Sequence, residues 1–183
     1  MRRLVRRLAL VSIAALGVGW LLERRVAGQS DVLAGQALIE SIHSEVIVRA
    51  PIERTWAVLA DIPGQMRWMR EMQSVRVLTP GPIRVGTEAV ALVRALGIPM
   101  RDPIEVTEWD PPRRYAISHT GLVKGIGEIE LEPGDVSGTT RVSWDETLIA
   151  PLFPHLGGIA FQAVFGPIFQ DDLETFARLV EAG

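Results

Sequence analysis

Residues Ser44–Trp68 read SEVIVRAPIERTWAVLADIPGQMRW. The β-branched run inside Ile42–Arg49 predicts a strand, and Pro51 follows where proline is tolerated, in the first turn of a helix. Over Pro51–Ile62, the residues Ile52, Trp56, Leu59 and Ala60 recur at helical spacing on one face. Asp61-Ile62-Pro63-Gly64 stops that helix. A second short helix, roughly Gly64–Met72, is expected to carry Met66, Trp68, Met69 and Met72. The chain therefore opens with a strand that turns at once into two short helices.

Downstream, strand signals recur at short intervals between turn residues. They are Ser74–Leu78, Gly86–Ala95, Pro103–Asp110, Arg113–Thr120, Gly125–Glu132 and Thr139–Ile149, with firm turns at Asp110-Pro111-Pro112 and Pro133-Gly134-Asp135. With the first strand this makes six to seven antiparallel candidates, and the connections leave no room for the crossover helices of a parallel sheet. Pro154–Ala182 is helical in pattern, with an interruption expected at Gly166-Pro167. All 5 phenylalanines lie between Phe153 and Phe176. Phe161, Phe165, Phe169 and Phe176 recur with Leu173 and Val180 as one apolar stripe, opposite a solvated face of Asp171, Asp172, Glu174 and Arg178. The class is α+β: a curved antiparallel sheet around a long C-terminal helix.

At the other end, Arg2, Arg3, Arg6 and Arg7 precede an uncharged run from Leu8 to Leu22, which Glu23, Arg24 and Arg25 close. As a helix that run spans about 22 Å at roughly 1.5 Å per residue, just short of a ~30 Å hydrocarbon core. Residues 1–25 are read as a minimal membrane anchor, single-pass with the N-terminus cytoplasmic because arginines are denser before the run. A cleaved secretory signal, which would release a secreted protein, is the competing reading, weakened by charges between the apolar run and Val26-Ala27-Gly28. Residues 26–40 lack an apolar period and read as a linker, leaving 41–183 as the domain.

Composition excludes several classes. Residues 26–183 hold 13 basic and 21 acidic side chains, a net charge of −8, which argues against nucleic acid as a partner. There is no cysteine, hence no disulfide framework and no thiolate chemistry. No metal-ligand spacing, nucleophile elbow, phosphate loop or dinucleotide fingerprint is present, so neither a metal nor a cofactor is expected.

Val48-Arg49-Ala50-Pro51 with Trp56 and Asp61, Trp68, Val85-Gly86-Thr87, Glu108-Trp109-Asp110-Pro111-Pro112-Arg113-Arg114 and Thr139-Thr140-Arg141-Val142 occur in this order from Ile42 to the C-terminus. In that order the chain resembles the START-related SRPBCC superfamily, in its polyketide cyclase/dehydrase-like branch. The resemblance implies a helix-grip fold with an apolar cavity between sheet and helix, and covers members from lipid carriers to cyclases. It brings no catalytic motif onto this chain.

Candidate chemistry is sparse. His119 follows Tyr115 and Ile117 at period two, which puts it on their strand face, beside the cavity mouth. Asp145 and Glu146 are neighbours on a strand and point to opposite faces, and Glu146 faces inward if Trp144 and Leu148 do. A buried Glu146 would need a partner, for which Arg94 or Arg101 are the candidates. His43 and His155 read as structural. Ala89 and Ala91 on one strand, and Gly125 and Gly127 on another, are small enough to leave a hollow opposite the aromatic helix. Expected lining residues are Trp68, Val90, Leu92, His119, Phe161 and Phe165. The expected function is a membrane-tethered carrier of a hydrophobic small molecule or lipid, held to the membrane by residues 8–22. Alternatives are a cyclase or dehydratase using His119 or Glu146 as acid or base, and an interaction module presenting Leu152–Phe165 to a membrane partner. The sequence does not fix an oligomeric state.

Overall fold

The computed structural model describes residues 15–25, 41–95, 97–149 and 154–183. Seven strands are defined: β1 (Ile42–Val48), β2 (Met72–Val77), β3 (Glu88–Ala95), β4 (Ile98–Asp110), β5 (Arg114–Thr120), β6 (Lys124–Pro133) and β7 (Thr140–Ile149). They form one antiparallel sheet in the order β1-β7-β6-β5-β4-β3-β2. Helix α1 comprises residues 15–25, α2 is Ile52–Leu59 and α3 is Pro154–Ala182. This is the α+β helix-grip architecture: β2 to β7 form a meander, and the first strand pairs with the last, placing α3 across the inner face.

Local chemistry explains the opening segment. Pro51 stands at the N-terminus of α2 with φ −62°, already suited to the turn. The segment expected as a second α-helix is instead a 3-10 helix, Ile62–Arg67, and Met72 already belongs to β2. Asp61 dictates that tighter winding, because its carboxylate accepts the Gly64 N–H at 3.1 Å and the Arg67 guanidinium at 2.8 Å.

Strand β4 is longer than expected. It starts at Ile98, not Pro103, and pairs with β3 across a tight turn in which Gly97 takes φ +83°. Pro99 and Pro103 are uncommon strand residues, since proline cannot donate to a ladder. Both, however, precede Ile104, the first residue of β4 to pair with β5, so the missing N–H groups leave no gap on that side. The register slips between Val106 and Glu108, a bulge that bends β4.

Helix α3 runs unbroken through Gly166-Pro167, where an interruption was expected. Proline forgoes one backbone bond, and packing on the sheet supplies the stability that local propensity lacks. The C-terminal half of α3 is the core: Leu173, Phe176, Ala177 and Val180 are buried with Val48, Leu59, Val106, Leu131 and Val142. Asp172 alone breaks the charged outer face. It is buried, accepts the Arg70 N–H at 3.1 Å, and is pushed up to about 6 by burial.

The expected anchor falls partly outside the described residues, as does the linker of residues 26–40. Among the described residues no helix is long and apolar enough to cross a membrane. What is described of α1 docks on the domain: the Glu23 carboxylate is buried and accepts the Leu156 N–H at 2.9 Å, at the N-terminal end of α3.

Phe176 has no exposed surface and meets Trp68 at 5.1 Å between ring centroids. Phe176→Ala is therefore expected to destabilise the domain by about 3–5 kcal/mol, the usual loss for a buried phenylalanine, as measured by urea denaturation. A loss below about 1 kcal/mol would show that α3 is not the centre of the core.

Candidate functional site

The N-terminal half of α3 does not close on the sheet. A cavity of about 340 Å³ remains between Phe161, Phe165 and Phe169 on the helix and the inner faces of β3 to β7. Its walls are apolar: Val93 and Ala95 from β3, Met100 and Ile104 from β4, Ile117 from β5, Ile129 from β6 and Leu148 from β7. Ile98, after the β3–β4 turn, and Leu122, in the β5–β6 turn, also line it while 63% and 68% exposed, so the cavity reaches solvent between those turns. A second concavity of about 450 Å³, lined by Met66–Arg70 and by Asp171, Asp172, Thr175 and Arg178, is a more polar and more open surface groove.

An aromatic chain floors the cavity. Phe161 meets Phe165 at 5.5 Å, Phe165 stacks on Phe169 at 5.8 Å, and Phe169 stacks on Trp144 at 4.6 Å. Trp144 then abuts Trp68 at 6.1 Å. Trp68 thus lies behind this wall, in the core, and is not among the lining residues.

Val90 and Leu92 do not line the cavity either. The inward face of β3 is the other one, with Ala89 and Ala91 buried and Val93 and Ala95 against the hollow. An apolar side chain on a two-sided strand does not reveal which face is inner, and a choice wrong by one residue inverts the set.

One pole of the cavity is polar. His119 places Nδ1 2.7 Å from Asp102 Oδ2 and Nε2 3.0 Å from Glu146 Oε1. The Trp144 indole N–H donates to Glu146 Oε2 at 3.0 Å. The expected arginine partners for Glu146 are thereby replaced by an imidazole and an indole. The contact between Nε2 and Oε1 is an ion pair without an aligned hydrogen bond, which leaves both atoms unsatisfied by direction although they are close. The Tyr115 hydroxyl, also buried at the cavity, lacks an aligned partner, and its burial pushes it well above the usual phenol range.

The sheet register makes this arrangement possible. His119 pairs with Gly125, and Gly127 pairs with Glu146, so histidine and glutamate reach toward each other over β6, with strands ~4.8 Å apart. Both glycines face inward, like Ile129. A β-carbon on Gly127 would lie 2.5 Å from Glu146 Oε2, and one on Gly125 would strike the Thr147 carbonyl. Of the glycines that suggested room for a ligand, Gly127 leaves room first for a carboxylate and Gly125 for the backbone of β7.

Burial alone, the largest single influence, draws the His119 imidazole down, but the Asp102 hydrogen bond and the negative charge of both carboxylates together outweigh it and push His119 up to about 10. The ring is then an imidazolium at neutral pH and a poor acceptor of protons, so a base in this cavity would have to be a carboxylate, of which Glu146 is the most buried. Because the carboxylates sit on opposite ring nitrogens, they do not converge on one point, and among the described residues no cluster is placed to hold a metal.

Asp102 escaped the sequence reading because β4 was started one residue after it. The signal available was the inward parity of Ile104 and Val106, extended backward past Pro103. His43 pairs with Asp145 on the outer face at 3.1 Å, exposed, as a structural role implies; the His155 side chain lies outside the described residues. In the stretch considered as an interaction patch, Phe161 and Phe165 turn to the cavity, whereas Ile159 and Val164 remain exposed.

The sequence model of the family described as polyketide cyclase/dehydrase and lipid transport matches residues 40–181. An uncharacterized protein of Mycobacterium tuberculosis is 27% identical over 126 residues, 68% of this chain and 87% of its own length. Among solved structures, a START superfamily protein of Mycobacterium smegmatis superposes with a TM-score of 0.68 at 14% identity, over 78% of this chain and 97% of that one. The Zhui aromatase/cyclase of Streptomyces superposes with a TM-score of 0.66 at 19% identity, over 78% and 93% respectively. At those identities the two structures share the fold.

Three outcomes are expected of the polar pole. Nitrogen NMR at pH 8 should find both ring nitrogens of His119 protonated, with titration only near pH 10; a midpoint near the ordinary 6.5 would refute the sandwich. Since the folded value is the raised one, the stability advantage over His119→Gln should be full below about pH 6.5 and fade as pH rises through about 10. Gly127→Ala should push the Glu146 carboxylate off the ring and lower that titration midpoint, at a stability cost of about 1–3 kcal/mol.

Proposed function

The chain belongs to the polyketide cyclase/dehydrase and lipid transport family, and from that premise we propose that it binds a hydrophobic small molecule or lipid in the cavity between sheet and α3. The observation that carries this reading is an open, apolar hollow of about 340 Å³ in an otherwise closely packed domain, within the ~300–1,000 Å³ range of ligand sites. Its walls supply affinity through burial, roughly 25 cal/mol per Å² of apolar surface. At ~30 Å³ for each water-sized group, the space suits a ligand body of about eleven methylenes. Membrane tethering through residues 8–22 forms no part of this reading.

A cyclase or dehydratase reaction in the same space is the second reading, favoured by the buried Glu146 carboxylate on the cavity wall. It predicts turnover that disappears with Glu146→Ala, whereas a carrier releases its ligand unchanged.

The binding reading is tested on purified full-length protein with an apolar fluorescent probe and with mass spectrometry of solvent extracts. Saturable one-to-one binding is expected, and Val93→Trp, which fills the hollow from β3, should weaken it at least tenfold while the circular dichroism stays native. Probe affinity unchanged by that substitution, or protein that takes up no apolar compound, would eliminate the cavity as a binding site.

A further inference from the structure

Resting on the binding reading, the inference concerns which ligand head the cavity accepts. Six ionisable side chains line it: the carboxylates of Glu71, Asp102, Glu146 and Asp172 against Arg101 and His119. Of the two cations, His119 is already held between Asp102 and Glu146, and Arg101 is exposed. The lining thus sums to two excess negative charges and the polar pole itself, Asp102 and Glu146 against His119, to one, in surroundings that screen it poorly.

Its unused hydrogen-bonding capacity is also one-sided. Glu146 is 3% exposed, and its Oε1, 3.0 Å from the His119 Nε2, has no aligned donor among the described residues. An oxygen that meets its cation without an aligned bond keeps acceptor capacity, which a ligand N–H or O–H fills. The neighbouring Tyr115 hydroxyl, likewise without an aligned partner, can bond the same head as donor or acceptor. A ligand carboxylate would instead bring a second anion against Glu146 with no free buried cation among the described residues to meet it.

The geometry points to a ligand with an apolar body and a head that donates a hydrogen bond and carries no negative charge, an alcohol or an amine, seated with that head at Glu146 and Tyr115. Fatty acids and other apolar anions are disfavoured by the same groups. A site built to pair a donor discriminates strongly against analogues that lack one.

A matched series separates this inference from the reading beneath it. Decanol, decylamine and decanoate share a ten-carbon chain that fits the hollow, and each is titrated calorimetrically into full-length protein at pH 7.5 and below its micelle concentration. Decanol and decylamine are expected to bind at least tenfold more tightly than decanoate. Glu146→Gln should narrow that ratio, because the amide carries no charge and offers a donor to the carboxylate. Decanoate binding as tightly as decanol in the wild-type protein would overturn the head-group inference while leaving the cavity reading intact. Failure of all three to bind would remove both. The wild-type ratio decides the matter even if Glu146→Gln does not fold.

Discussion

Trp144 stacked on Phe169, with 4.6 Å between ring centres, is the contact on which the interior is organised. It joins the middle of α3 to β7 and divides the space inside the sheet in two. Below it, Trp68, Phe176, Leu173 and Val180 fill the volume to a close-packed core. Above it, the helix presents Phe161 and Phe165 to strands whose inward residues include Ala95 and Gly127, and the gap is not filled. Core and cavity are thus two halves of one helix–sheet interface, separated by a stacked aromatic pair.

The same pair couples packing to electrostatics. Trp144 gives its ring to Phe169 and its N–H to Glu146, so the residue that floors the cavity also orients the carboxylate at its pole. Burying three ionisable groups is unfavourable unless they neutralise one another. Asp102, His119 and Glu146 come from β4, β5 and β7, and they meet because β6 offers no side chain at Gly127 where the Glu146 carboxylate lies, while Gly125 lets the backbones of β6 and β7 approach. This constraint turns two weak strand formers into requirements of the site. It also makes His119 a fixed cation, which limits the acid–base chemistry open to the cavity and leaves Glu146 as the group that faces a ligand.

The architecture was largely legible in the sequence. Alternation at period two marked the inner residues of β6 and β7, and the three-to-four-residue phenylalanine steps marked the buried face of α3. Both signals are local, because a half-buried strand or helix must show its period wherever it sits. The site was legible only in pieces. His119 and Glu146 could be placed inward by parity, and Phe161 and Phe165 by helical spacing. Val90 and Leu92 were misplaced because β3 is apolar on both faces, where parity carries no sign. Asp102 was missed because Pro103 looked like the start of a strand, and the extent of β5, which makes that proline harmless, is not written next to it.

What the sequence by itself determined is the order, type and inner face of most elements, since each follows from short-range periodicity and turn chemistry. It also determined the acidic balance of the domain and the lack of cysteine, which close off whole classes of chemistry. Only the tertiary structure decided that a cavity exists, because an unfilled volume depends on how side chains from eight different elements fail to meet. It alone decided the partners of Glu146 as well: residues 102, 119, 127 and 146 become neighbours through strand register, and register is a relation between segments that no single segment encodes.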